Sequence, residues 1–337
     1  MNRRVLVALA ALSIPVGQGF SPAVSHTANP LRVAQRTHGL DPSSPIASRV
    51  KPVPAAVLEL FREPTPPPDP SGTPSPTPPN RARSHVLTGA ERVAFEAAIE
   101  GLTPLHQRIL QERLQAVYVV DAPGMSGTAM TRTMDLDEPA PLFDLIVRGG
   151  VLRETVSEWL TTKERTCYDA SGSARRVSIE AGALDAIRYV MLHEATHMVD
   201  RALDLTPPWR PPAAPDPAVS PFTRGFWRNP LAIAEPYDAP ILNQSHFRRE
   251  GTVLPVQQAQ AMYEALQRTP FASLYASMNW SDDLAELVTV SHWTTKLGQP
   301  FRIVIRDGER EVFAYEPMAS PLVRQRLAEI ARFYDER

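Results

Sequence analysis

In a chain where 35 of 337 residues are proline, the stretch from Ala183 to Leu205 contains neither proline nor glycine. That run constrains the fold more than any other. Apolar residues at 184, 187, 191, 195, 198 and 202 recur at helical spacing, and Val190 and Val199 widen the stripe. The pattern predicts a helix with most of its circumference buried, starting near Gly182. Embedded in it are His193, Glu194 and His197. Residues four apart share a helix face, so both imidazoles can reach one metal ion. Glu194, one residue after the first histidine, is placed to take a proton from water on that ion. Two core histidines satisfied by neighbours are the bland alternative, but it leaves Glu194 unexplained. The five-residue pattern arises by accident in about one such chain per hundred, so context must decide.

A third ligand is required, and the best candidate lies in Ser281-Asp282-Asp283-Leu284-Ala285-Glu286-Leu287, part of a helix-like run from about Ser281 to Trp293. Asp282 and Glu286 are again four apart and share a face. An exposed acidic helix start capped by Ser281 would explain Asp282 and Asp283, but not Glu286 as well. Together with His193-Glu194-Ala195-Thr196-His197, this segment resembles the gluzincin side of the zincin superfamily of zinc metallopeptidases. There a second helix carrying Glu-x-x-x-Asp/Glu follows the His-Glu-x-x-His helix. The resemblance implies Zn2+ held by His193, His197 and Asp282, with Glu286 hydrogen-bonding a ligand histidine from outside. It also implies peptide hydrolysis with Glu194 as general base. Asp282-Asp283-Leu284-Ala285-Glu286 is similar to the Glu-Asp-Phe-Ala-Glu form of several bacterial metallopeptidase families. Two departures stand out. Aspartate replaces the usual glutamate, so either the helices approach more closely or Glu286 is the ligand. The 84 residues between His197 and Asp282 are also long for a gluzincin and imply an insertion.

Other residues carry weaker signals. Asp200 lies two turns after His193, where it could orient a ligand histidine or pair with an arginine on the helix exterior; the second reading is slightly favoured. The metzincin pattern is excluded, because neither Gly nor His follows His197 at the required offsets. Gluzincins often use Tyr or His to donate to the oxyanion, and Tyr275 is the first candidate here, with His246 and Tyr237 as others. Each of the three has a structural reading of equal standing.

Asn2-Arg3-Arg4 followed by the apolar stretch Val5 to Ile14 has the form of a secretory signal peptide, assigned to residues 1–25. Ten apolar residues are too few to span a bilayer. A secreted or periplasmic location follows, without stable membrane insertion. From Asp41 to Asn80 there are 13 prolines in 40 residues, so 26–83 reads as extended, disordered linker. Seven more prolines between Pro207 and Pro221 suggest a surface loop after the metal helix. The single cysteine, Cys167, cannot form an intramolecular disulfide. With 35 basic and 37 acidic residues and no basic patch interleaved with aromatics, nucleic-acid binding is not indicated. No Gly-rich phosphate loop is present.

The folded unit is therefore read as 84–337. Helices are expected at Thr88–Glu100 (capped by Thr88), Gln107–Gln115 and Val151–Leu160, with strands at Ala116–Val120, Thr128–Met134 and Phe143–Val147. Arg176–Ile179 reads as extended. Beyond the metal helix, helices are expected near Val256–Gln267 and Asp282–Thr294, then a hairpin from Phe301 to Phe313 turning at Asp307-Gly308. A closing helix spans about Pro321 to Tyr334. The fold class is α+β: a zincin-like metallopeptidase domain with a small sheet, an active-site helix and a mostly helical C-terminal subdomain. An edge strand of the sheet would hold an extended protein or peptide substrate by β-augmentation. Two other functions stand beside it, the second of which the sequence does not separate from a peptidase. One is a non-catalytic zincin-like envelope binding protein, against which the intact Glu194 counts; the other is a metal hydrolase acting on a non-peptide amide.

Overall fold

The computed structural model describes residues 40–61, 81–122, 127–134, 141–208 and 215–335. The expected signal peptide lies outside them, as do residues 62–80 of the first proline cluster and 209–214 of the second.

The described residues form a mixed α+β structure with small sheets. A four-stranded sheet has the order β1 (Arg83–Ser84), β2 (Leu114–Asp121), β4 (Leu142–Arg148), β3 (Ala129–Met134). Within it β2 and β4 run parallel, while β1–β2 and β3–β4 are antiparallel. Side chains alternate between its faces. Val117, Val119, Ala129, Phe143, Leu145 and Val147 enter the main core, while Val120, Met130 and Ile146 form a second cluster on the other face. Two helices, α1 (Gly89–Glu100) and α2 (Pro104–Arg113), precede β2 and pack on the metal helix. Thr88 caps α1 in a box with Glu91, as expected from the sequence.

A second sheet joins β5 (Arg175–Glu180) to the hairpin β6 (Arg302–Asp307) and β7 (Arg310–Tyr315), in the order β7-β6-β5. The hairpin turns at Gly308, whose φ is +59°. By pairing with β5, it ties the end of the chain to a strand that precedes the metal helix. The part after that helix thus shares a sheet with the part before it.

Local boundaries differ from expectation where a capping signal was passed over. The helix expected over Val151–Leu160 is interrupted: a 3-10 turn covers Gly149–Arg153, and Thr155 restarts the chain as α3 (Val156–Arg165) through a capping box with Glu158. The stretch Val256–Gln267 begins with a 3-10 turn and becomes α5 only over Ala259–Leu266. The closing segment is one helical turn, Pro321–Arg324, followed by 3-10 helix over Leu327–Tyr334.

The larger correction concerns the expected linker, part of which is folded. Residues 46–49 form a 3-10 turn and Ala55–Leu58 a short helix, and Val50 bridges Val117 of β2. Val57 is fully buried against the outer sheet cluster, with Val53, Leu58 and Phe61 packed beside it. A sheet that is apolar on both faces needs a second cover. Proline content describes the backbone of this segment but says nothing of that demand. Arg49 fastens it: its guanidinium donates to Leu110 O and Leu114 O at 2.7 Å each and to Gln111 O at 2.9 Å. These carbonyls lie at the C-terminal end of α2 and the start of β2, where the last turn has acceptor capacity to spare, although Leu110 O also accepts from Leu114 N. Arg49→Ala is accordingly expected to lower the unfolding free energy by about 2–3 kcal/mol, as read from the denaturant midpoint. A loss within about 0.5 kcal/mol would show that the segment adds nothing to the fold.

Candidate metal centre

The helix that carries the two histidines, α4, spans Ala186–Leu203 and starts four residues after Gly182. Gly182 has a φ of +87°, and a Cβ there would collide with Gln299, so the turn into α4 requires glycine. At the other end Asp204 takes the left-handed conformation that closes the helix. Every residue from Tyr189 to Asp200 is buried. The helix α6 (Trp280–Thr295) packs along α4 and is buried from Asp282 to Trp293. The reading of Asp282 and Asp283 as an exposed acidic start therefore fails.

Asn279, and not Ser281, caps α6. Its side-chain oxygen accepts from Ser281 N at 3.0 Å and Asp282 N at 2.9 Å, while its amide donates to Asp282 Oδ2. This leaves the Ser281 hydroxyl for other work. Asp283 is held by Arg326, whose two terminal nitrogens donate to its two oxygens at 2.8 Å each. Trp227 Nε1 adds a third bond at 2.8 Å, and the guanidinium lies between the rings of Phe222 and Phe226. Asp282 and Asp283 thus point to different partners, and the pair with Arg326 fixes the rotation of the first turn of α6.

That rotation brings three ligand atoms together. His193 Nε2 and His197 Nε2 are 3.1 Å apart, and Asp282 Oδ1 lies 3.3 Å from the first and 3.5 Å from the second. A tetrahedral site with metal–ligand distances of about 2.0–2.1 Å has edges of about 3.3 Å, so the spacing suits zinc. Among the described residues this is the one converging group of three or more His, Cys, Asp or Glu side chains.

Both histidines are fixed from behind. Glu286 Oε1 meets His193 Nδ1 at 2.9 Å, while its Oε2 accepts from Tyr189 at 3.0 Å and from Ser273 at 2.6 Å. His197 Nδ1 meets the Ser281 hydroxyl at 3.2 Å, which in turn donates to Asp200 at 2.9 Å. Thr206 supplies two further bonds to Asp200. With each Nδ1–H given to an acceptor, each Nε2 presents its lone pair to the shared position. The arginine pairing favoured for Asp200 is not formed: Arg201 pairs with Asp204 instead, and Asp200 reaches His197 through Ser281.

Two nitrogen lone pairs and a carboxylate oxygen in mutual contact repel one another unless a cation lies among them. The titration behaviour reflects the same demand. Burial disfavours the charged form of His193, but Asp282 and Glu286 outweigh it and bring its pKa up to about 9. Burial would likewise raise Asp282, yet the two histidines hold it well below the usual carboxylate range. Asp282 Oδ1 has no aligned hydrogen-bond donor, and Glu194 Oε1 is buried without one. The donor set, the spacing and these two open oxygens all fit a divalent ion.

Glu194 is held by a residue that sequence reasoning missed. Thr131 of β3 donates to its Oε2 at 2.8 Å, leaving Oε1 open. Burial raises the Glu194 pKa, partly offset by His197, His193 and Thr131. Tyr275 is close: its ring centroid is 5.9 Å from that of His193, and its charge would interact first with Asp282 and then with Glu194. Tyr237 packs its ring on Phe226, and His246 is buried; neither belongs to the ligand group. Tyr189, Ser273 and Asn279 also escaped notice. Tyr189, one helical turn before His193, had a usable signal, whereas Ser273 and Thr131 arrive from distant elements.

No family model, curated protein or solved structure matches the chain, so the site stands on its own geometry.

Since Asp282 meets both ligand nitrogens and Glu286 only the far side of His193, Asp282→Asn should weaken zinc binding more than Glu286→Gln. The latter loss should stay within about 10–100-fold, measured by chelator competition. The reverse order would move the ligand role to Glu286. Arg326→Met should cost about 3–5 kcal/mol, since it strands Asp283 as a buried charge; a folding midpoint equal to wild type would refute that anchoring role.

Proposed function

We propose that the chain is an exported zinc-dependent peptidase with a zincin-like fold, its ion held by His193, His197 and Asp282. The observation that carries this reading is the buried, unpartnered Glu194 Oε1 beside three converging ligand atoms. A purely structural metal site has no use for a fourth, protonatable group held back from coordination. A binding module likewise has no use for a proton shuttle.

A bound zinc ion would supply Lewis acidity, polarising a carbonyl and making water a nucleophile near neutral pH. Everything else falls to the side chains. Glu194, oriented through Oε2 by Thr131, takes the proton of the attacking water at Oε1 and delivers it to the departing nitrogen. Its burial raises its basicity, which suits a group that must both accept and return a proton. Tyr275 is the candidate donor to the developing oxyanion. The strand carrying Thr131 is the last in its sheet, so an extended peptide added along β3 would lie next to Glu194. His197 is the most exposed of the three ligands at 6%.

Glu194→Gln separates chemistry from ligation. The amide keeps the Thr131 contact but cannot take a proton, so the variant should retain fold and zinc while losing peptide cleavage by about 100-fold or more. The assay is cleavage of an unbiased peptide library by the zinc-loaded full chain. Cleavage at the wild-type rate would refute the general-base role. A wild-type protein that holds zinc but cuts no peptide, and instead hydrolyses small amides, would shift the substrate class.

A further inference from the structure

Lys163 has no part in the chemistry above, yet it lies against Tyr275, one of the side chains placed there. It lies on α3, 6% exposed, with Nζ 3.3 Å from the ring centroid of Tyr275. The rings of Phe247 and Trp159 stand at 5.5 and 5.7 Å. None of the described residues accepts a hydrogen bond from Nζ. An ammonium this buried has lost most of its hydration, and aromatic faces return only part of it. Burial pulls its pKa below the usual lysine value, and the anions around it counter that in part: Glu286 most, then Asp282 and Glu164. Lys163 and Glu286 line the same small cavity, with Ser273, Tyr275 and Phe301 among its other walls.

The charges around the centre account for its presence. Asp282, Glu286 and Glu194 are three buried carboxylates in one neighbourhood. A bound divalent ion would supply two positive charges, and a protonated Lys163 would supply the third. Asp200 stands apart, served by its own bonds from Thr206 and Ser281. Glu164 is bonded to Tyr263 at 2.6 Å, and burial brings its pKa up to about 7, so it carries only part of a charge.

We propose that Lys163 is a positioning residue of the metal centre, balancing the charge of Glu286 and Asp282 while seating Tyr275 against His193. The inference rests on the metal-centre reading of the preceding subsections. It has a consequence opposite to that of a packing role. Removing the ammonium makes the site more negative, so a divalent ion should bind more tightly. A residue that merely fills space would leave affinity unchanged or weaken it.

The test uses the full chain, prepared metal-free, as wild type, Lys163→Met, Lys163→Arg, Glu286→Gln and the Lys163→Met/Glu286→Gln double variant. Zinc affinity is measured by chelator competition, and stability by denaturant unfolding without metal. Lys163→Met should bind zinc about tenfold more tightly or better, and Lys163→Arg, which keeps the charge, should stay within about threefold of wild type. In the metal-free proteins the double variant should be more stable than the sum of the single losses, because the stranded carboxylate is gone. If Lys163→Met alone fails to fold, folding of the double variant supports the proposal and its failure overturns it. Unchanged or weaker zinc binding by folded Lys163→Met, or an additive cycle, also overturns it. A wild-type protein that binds no zinc would instead sink the metal-centre reading, which is read in a separate measurement from the cycle.

Discussion

Two imidazole nitrogens and a carboxylate oxygen, buried and in mutual contact, make an arrangement that calls for positive charge among them, from a proton on His193 or from a metal ion. The remainder of the structure is arranged around that demand. His193 and His197 come one turn apart from α4; Asp282 comes from α6; each is fixed by a partner that holds its other side. Because each Nδ1 is already engaged, the histidines cannot rotate away to relieve the repulsion. The cost of assembling the cluster is carried by surrounding contacts, and a bound ion would convert it into affinity.

Those contacts reach far along the chain. The Asp283–Arg326 pair links α6 to the C-terminal segment, so Asp282 is aimed by a residue 44 positions away in sequence from it. Thr131 joins the edge strand of the sheet to Glu194. His106 of α2 bonds Thr103 at 3.0 Å and Thr196 at 2.9 Å, between the glutamate and the second histidine. Burial brings its pKa down to about 3, so it stays neutral and serves as a strut between two helices. The ligand geometry is thus set by several elements that share one core, and any of them can loosen it.

The helical run, the two histidines and the pair Asp282 and Glu286 were legible because helix periodicity alone puts residues four apart on one face. Periodicity could not choose the ligand among the two acids. The choice follows from packing depth: α6 lies close enough to α4 for the short aspartate to meet both Nε2 atoms, while Glu286, a turn further, meets His193 from the opposite side. Asp200 was misjudged for a related reason, since its partner Ser281 lies 81 residues away and no local pattern links them. The expected linker failed differently. Proline statistics describe backbone freedom, while the burial of Val57 and Arg49 answers needs set by the sheet and by the end of α2. In each case the sequence revealed what lies on one element and missed what two elements share.

Ligation of a metal ion by His193, His197 and Asp282 is the proposal on which the reading of the site depends. It is tested most directly by elemental analysis of the purified, metal-replete full chain, beside His193→Ala prepared in the same way. The expected result is one zinc per wild-type chain and none retained by a folded His193→Ala variant. Wild-type protein that is folded but carries no transition metal, or a variant that keeps its zinc, would contradict it.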